Sequence, residues 1–211
     1  MIDAPLTTLL RRPLLWLARP LHAAGVQADH LSWVGFGFAV LAFTLLATGH
    51  ASLALLAIAL NRLADGLDGT LARLGQPSDR GAFLDIVLDF LFYASVPLGF
   101  ALQAPATHAL PAAVLLFSFM GTGASFLAFA VLAAKRQMSS LAFPQKGMYY
   151  LGGLTEGTET LAVFVAMCLW PPFFPALAYG FAALCLLTTA MRIAAGWQAF
   201  GSDHPSAPPD R

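Results

Sequence analysis

The chain has 211 residues, 58% of them hydrophobic and only 10% charged, with a formal net charge of zero. A soluble domain carries roughly a quarter charged residues, so this is the composition of a protein that lives in lipid. It lacks the basic face that nucleic acid demands, and Cys168 and Cys185 lie in separate apolar runs without the Cys or His spacing of a zinc site, reading instead as small buried apolar residues.

Residues 1–28 do not form a span. Leu6, Leu9, Leu10, Leu14, Leu15 and Leu17 are mixed with Arg11, Arg12 and Arg19, the pattern of an amphipathic helix lying in the membrane interface. Pro5 and Pro20 are its expected bounds. Pro13 and Pro20 interrupt the apolar run, and the next segment is long enough to cross, so a cleavable signal peptide is not expected.

A six-helix transmembrane domain is expected over 29–198. In the first span Asp29 is a candidate N-cap, and Leu31 to Thr48 approaches the ~20 residues a crossing needs. Gly35 and Gly37 could admit a close helix neighbour. Gly49-His50 reads as a turn. The second span starts near Ala51 and is apolar to Leu60, after which it carries Arg62, Asp65, Asp68 and Arg73. Residues 75–80 read as a turn. The third span runs from about Gly81 to Leu102, and 103–108 is a loop. The fourth runs from Leu110 to Ala134, with small residues at Gly121, Gly123 and Ser125 that could pack within the bundle, the preferred reading, or in a homodimer. The loop from Lys135 to Tyr150 follows. The fifth span is Gly153 to Leu169, ended by Trp170-Pro171-Pro172, and the sixth is Phe174 to Ala195. The tail, 199–211, reads as disordered.

Lys and Arg fall before span one, around the 2–3 turn, in the 4–5 loop and at the end of span six, and the alternate turns carry none. The excess of positive charge marks the cytoplasmic side. Both termini and the 2–3 turn are therefore expected in the cytoplasm.

Four aspartates stand where hydrocarbon is expected. Intramembrane carboxylates are expensive and usually functional. Asp65, Asp68 and Ala72 share one helical face, and Gly81, Asp85 and Asp89 share another. A hairpin between them sets Asp68 beside Asp85, with Asp65 and Asp89 a turn deeper. Such carboxylates suit Mg²⁺ or Mn²⁺, and two such ions suit displacement at phosphorus. Gly69 and Gly81 leave room for a ligand, and Arg73 is placed to meet a phosphate or an aspartate. Structurally, Arg62 and Arg73 could instead pair with two aspartates and hold helices together, but this leaves two acids unpaired.

Asp65-x-x-Asp68-Gly69-x-x-Ala72-Arg73 followed by Gly81-x-x-x-Asp85-x-x-x-Asp89 resembles the signature of the CDP-alcohol phosphotransferases (class I CDP-alcohol phosphatidyltransferases), with every fixed residue type present. The six-span layout and the interfacial helix resemble that family too. Seven residues separate Arg73 from Gly81, one fewer than the usual pattern, and the difference falls in the turn. The resemblance implies a membrane enzyme of phospholipid biosynthesis, in a bacterial inner (plasma) membrane with its active site facing the cytoplasm. It would move a substituted phosphate, here phosphatidyl, from a CDP-linked donor such as CDP-diacylglycerol to an alcohol and release CMP. It implies that Asp65, Asp68, Asp85 and Asp89 hold two divalent ions, Mg²⁺ or Mn²⁺, and that Asp89 is the general base. Asp65, Asp68, Gly69, Ala72, Arg73, Gly81 and Asp85 would line the CDP pocket.

The acceptor side is less defined. Lys135, Arg136 and Lys146 could bind an acceptor phosphate or mark topology against anionic lipid, the second being preferred. Arg192 is the better pocket candidate, since Met191 and Ile193 give it a helical, partly buried setting. Glu156 and Glu159 share a face at a helix start, serving the dipole or an acceptor hydroxyl. Rival functions are an intramembrane metal-dependent prenyltransferase, whose acidic motifs lie far apart, and a cation transporter, for which an internal repeat would argue; none is visible here.

Overall fold

The computed structural model describes residues 3–136 and 153–201, with side chains from Leu9 onward. All regular structure in these residues is helical: α1 (Asp3–Ala23), α2 (Ala28–Ala47), α3 (Ala51–Leu74), α4 (Asp79–Gln103), α5 (Pro105–Lys135), α6 (Gly157–Leu169) and, after a 3-10 turn at Pro171–Phe173, α7 (Phe174–Gly201). Among the described residues four stretches are long and apolar enough to cross a membrane: Ala28–Ala47, Asp79–Gln103, Pro105–Lys135 and Pro171–Gly201. Helix α3 has the length, 24 residues, but carries the charges of its second half. Helix α6 has only 13 residues, about 20 Å at 1.5 Å per residue.

Several boundaries differ from expectation. Pro20 lies inside α1, and the stop is Gly25, whose φ of 78° permits the closing turn in which Val26 N–H reaches Leu21 O at 3.0 Å. The N-cap of α2 is Gln27, paired reciprocally with His30, because Asp29 is bound instead to Arg80. The loop expected at 103–108 shrinks to Ala104, because Pro105 starts α5 at the one turn where its missing N–H is not needed. The fifth helix begins at Gly157 rather than Gly153, where Glu156 and Glu159 form a capping box. Residues 199–201, expected in the disordered tail, are helical. There Arg136 donates to the carbonyls of Ala199 and Phe200, at 3.4 and 3.1 Å, and covers the end of α7. The rest of that tail, 202–211, lies outside the described residues, as do residues 137–152, where the 4–5 loop is expected.

Helix α2 packs on α3 and α4, α4 on α5, and α5 on α7, while α1 lies along α3. The main core joins Leu46, Ile58, Phe92, Phe100, Leu115, Phe164, Met167 and Phe174, with both cysteines buried in it. Close helix contact rests on small residues. A Cβ on Gly99 would sit 2.7 Å from Leu46 Cβ, and one on Gly35 would sit 3.3 Å from Ala64 Cβ. Gly37 makes no such contact. Gly121 faces Thr189 and Gly123 faces Phe90, so these small residues pack within the bundle. Outside, Trp16, Phe83, Phe117, Met120, Val131 and Trp197 are exposed. An apolar surface of this extent is that of a protein solvated by lipid.

Candidate active site

The α3–α4 hairpin brings the aspartates together as their spacing requires. Asp65 and Asp68 lie one turn apart on α3, and Asp85 faces them from α4. Carboxylate oxygens of these three come within 4.8 Å of one another. Asp68 is buried at 6% exposure and accepts a 2.7 Å hydrogen bond from Ser32 Oγ on α2. Asp89, also on α4, sits 2.7 Å from Nη2 of Arg62. That contact is close but poorly aimed, so the buried Oδ1 gains an ion pair without a hydrogen bond of good geometry. Arg62 Nη1 also lies 3.7 Å from Asp65.

Two cavities meet at this cluster. The smaller, about 20 Å³, is lined by all four aspartates together with Ser32, Asn61 and Arg62. The larger, about 710 Å³, opens beside the α3–α4 turn and is lined by Asp68, Gly69, Ala72, Arg73, Gly81 and Asp85, and by Asp29 and Ser32 of α2. Asp68 and Asp85 border both. A Cβ on Gly81 would lie 3.2 Å from Asp29 Oδ1 and from Ser78 Oγ, so a side chain there would crowd the wall. Arg73 donates to Thr70 Oγ1 at 3.1 Å and lines the larger cavity. Arg80 and Asp29 pair at 2.6 Å on the same wall.

The donor set fits a hard divalent cation. Three carboxylates converge, Ser32 holds the most buried of them by its second oxygen, and no sulfur or imidazole is among them.

The residues considered for the acceptor are scattered. Arg192 is buried, donates from Nη1 to Thr122 O at 3.0 Å, and lies over the Phe126 ring. Arg136 is bonded to the end of α7 and its Phe200 ring. Lys146 falls outside the described residues. Glu156 and Glu159 cap α6, with Glu159 Oε2 accepting from Glu156 N–H at 3.1 Å.

Ser32, Asn61 and the bridging position of Arg62 were not read from the sequence as parts of the site. Ser32 and Asn61 are ordinary in an apolar helix, and their place depends on which helix lies opposite. Arg62 carried a visible signal, a cation one turn before Asp65.

Residues 26–191 match the family model described as CDP-alcohol phosphatidyltransferase. The inner membrane protein YnjF of Escherichia coli is 51% identical over 197 residues, which are 93% of this chain and 96% of that protein. The archaetidylinositol phosphate synthase of Pyrococcus horikoshii is 34% identical over 94 residues, 44% of this chain and 50% of that one. The crystal structure of Mycobacterium tuberculosis phosphatidylinositol phosphate synthase (PgsA1) with CDP-DAG bound has a TM-score of 0.74 at 21% identity, covering 93% of this chain and 100% of that one. The same enzyme in complex with manganese and citrate has a TM-score of 0.68 at 22% identity, covering 94% and 96%. At these identities the two structures speak for the fold.

Proposed function

The chain belongs to the CDP-alcohol phosphatidyltransferase family, and on that premise we propose that it transfers a phosphatidyl group from CDP-diacylglycerol to an alcohol, releasing CMP. The observation that carries this reading is the convergence of Asp65, Asp68 and Asp85 at the junction of a small inner cavity with one of about 710 Å³. The larger volume suits a cytidine diphosphate, with Gly69, Ala72 and Gly81 leaving its wall open and Arg73 facing the phosphates.

Asp65, Asp68 and Asp85 would hold the first of two divalent ions, Mg²⁺ or Mn²⁺, and Asp89 would join them for the second once substrate is bound. When bound, such ions neutralise the diphosphate and the charge that develops on departing CMP. Asp89 takes the proton of the acceptor hydroxyl. The acceptor oxygen then forms a bond to the lipid-bearing phosphorus, and the bond from that phosphorus to CMP breaks. Arg192, a buried cation of α7 bonded to Thr122 of α5, is the acceptor-side candidate, with Arg136 and Lys146 behind it.

The bundle would cross the bacterial inner membrane six times through α2–α7, with α1 in the interface and both termini cytoplasmic. The relative from Escherichia coli supports the compartment through its designation as an inner membrane protein. The charge bias of the loops supports the orientation. A lipid donor then stays in the bilayer while its headgroup reaches the α3–α4 turn.

The deciding experiment is CMP release by protein purified in detergent with Mg²⁺ or Mn²⁺. CDP-diacylglycerol would be paired with a panel of alcohols, and CDP-linked small alcohols with diacylglycerol. CMP release that depends on one acceptor supports the reading. No CMP from any pair, together with ion flux through liposomes, would replace it with transport.

A further inference from the structure

Arg62 has no place in the aspartate signature, yet among the described residues it is the cation that pairs with the site's carboxylates. Its guanidinium is held on three sides. Nε donates to Asn61 Oδ1 at 2.8 Å, and buried Asn61 in turn donates from Nδ2 to Gly35 O on α2, also at 2.8 Å. The guanidinium carbon lies 4.1 Å over the centre of the Phe92 ring, itself 1% exposed. Phe92 stands one turn beyond Asp89 on α4. The remaining nitrogens lie near Asp89, 2.7 Å away, and Asp65, 3.7 Å away. A lysine could not serve all these partners, since it lacks the planar fork.

The consequence is visible in the carboxylates. Asp65, Asp68 and Asp85 gather within 4.8 Å of one another, and Asp89, which lines the same small cavity, is not one of that set. We propose that Arg62 is a positioning residue: before substrate binds, it holds Asp89 out of the metal set formed by the other three aspartates, and so keeps that carboxylate free for the acceptor hydroxyl. This deepens the proposed function and rests on its assignment of Asp89 as the base. Without Arg62, two things follow. The site loses a positive charge that repels a divalent ion, and Asp89 turns toward the other carboxylates and becomes a further ligand. Both tighten metal binding. A residue that only braced the helices would do the opposite, because its loss would loosen the ligand set.

The test is Mn²⁺ titration, followed by electron paramagnetic resonance, of full-length protein stripped by chelator in detergent, without donor. Arg62→Gln removes the charge and keeps a polar stem. It should bind the first Mn²⁺ about tenfold more tightly than wild type, the lost charge and the turned carboxylate together. Arg62→Lys gives up the other partners but keeps an ammonium able to pair with Asp89, so it should stay within about twofold of wild type. In an Asp89→Asn background the gain should shrink to what the lost charge alone supplies, about threefold, because no carboxylate is left to turn; a full tenfold gain there overturns the positioning role. Unchanged or weaker binding in Arg62→Gln overturns the role of Arg62 while leaving the metal site intact. A wild type that binds no Mn²⁺ overturns the metal assignment as well. If Arg62→Gln does not elute as folded protein, Asp89→Asn alone decides. It should bind the first Mn²⁺ within about twofold of wild type, and a loss of tenfold or more would put Asp89 in the metal set and end the proposal.

Discussion

Ser32 Oγ donates to Asp68 Oδ2 at 2.7 Å across the α2–α3 interface. One hydroxyl near the start of α2 thereby sets the orientation of the most buried carboxylate of the cluster. Ser32→Ala removes the donor and leaves that oxygen exposed to repulsion from Asp85. Groups that support metal ligands typically cost about 10–100-fold in affinity or activity when removed. Ser32→Ala should fall in that range in Mn²⁺ titration and in CMP release, with little change in thermal unfolding.

Asp68→Asn and Asp85→Asn each remove a ligand rather than its support. Mn²⁺ affinity should fall by about 100-fold or more, beyond the usual range for supporting groups. Chelator should stop CMP release by wild-type protein, and added Mg²⁺ or Mn²⁺ should restore it. Turnover that persists in chelator would remove the metal from the mechanism.

Asp89→Asn should reduce turnover by about 10²–10⁴-fold, the usual contribution of a positioned base. Binding of CDP-diacylglycerol should survive, because Asp89 lines the inner cavity and not the larger one. Equilibrium binding of the donor and CMP release, measured on the same preparation, separate the two effects. Full activity in the variant would dismiss Asp89 as the base.

Two glycines of α2 and α4 make a paired test of packing. Gly99→Ala places a methyl 2.7 Å from Leu46 Cβ and 3.2 Å from Phe43 O, so the helices must part. Overpacking of this kind costs about 1–3 kcal/mol, read as a lower unfolding midpoint in detergent. Gly37→Ala meets nothing within 4 Å. It should hold or raise the midpoint, since Ala exceeds Gly in helix propensity by about 1 kcal/mol.

The charge bias predicts sidedness. Reporter fusions at the C-terminus and in a cut at residues 75–78 should read cytoplasmic, and one inserted at Gly49-His50 should read periplasmic. The opposite pattern would reverse the proposed orientation.

Much of the fold was legible because apolar runs and their breaks are local properties. The turn at Gly49-His50, the place of the turn expected at 75–80, which α4 shortens by starting at Asp79, the end of α6 at Trp170 and the burial of both cysteines followed from residue type alone. Boundaries set by partners were not legible. Asp29 is a fair N-cap by type, but Arg80, far along the chain, engages it. Residues 199–201 read as tail until Arg136, just past the end of α5, bonds the carbonyls of Ala199 and Phe200. Glu156 and Glu159 allowed two readings, and the observed capping box serves the helix start.

By itself the sequence determined that four aspartates lie on two facing helical stripes, because helical periodicity and a short turn leave few other arrangements. It also carried the family signature. Only the tertiary structure decided how those carboxylates divide. Asp65, Asp68 and Asp85 gather, while Asp89 is drawn to Arg62, whose direction is set by Asn61, Gly35 and the Phe92 ring on three different helices. Spacing along a helix fixes which face a side chain takes. Which partner it meets there depends on the packing of the helices around it.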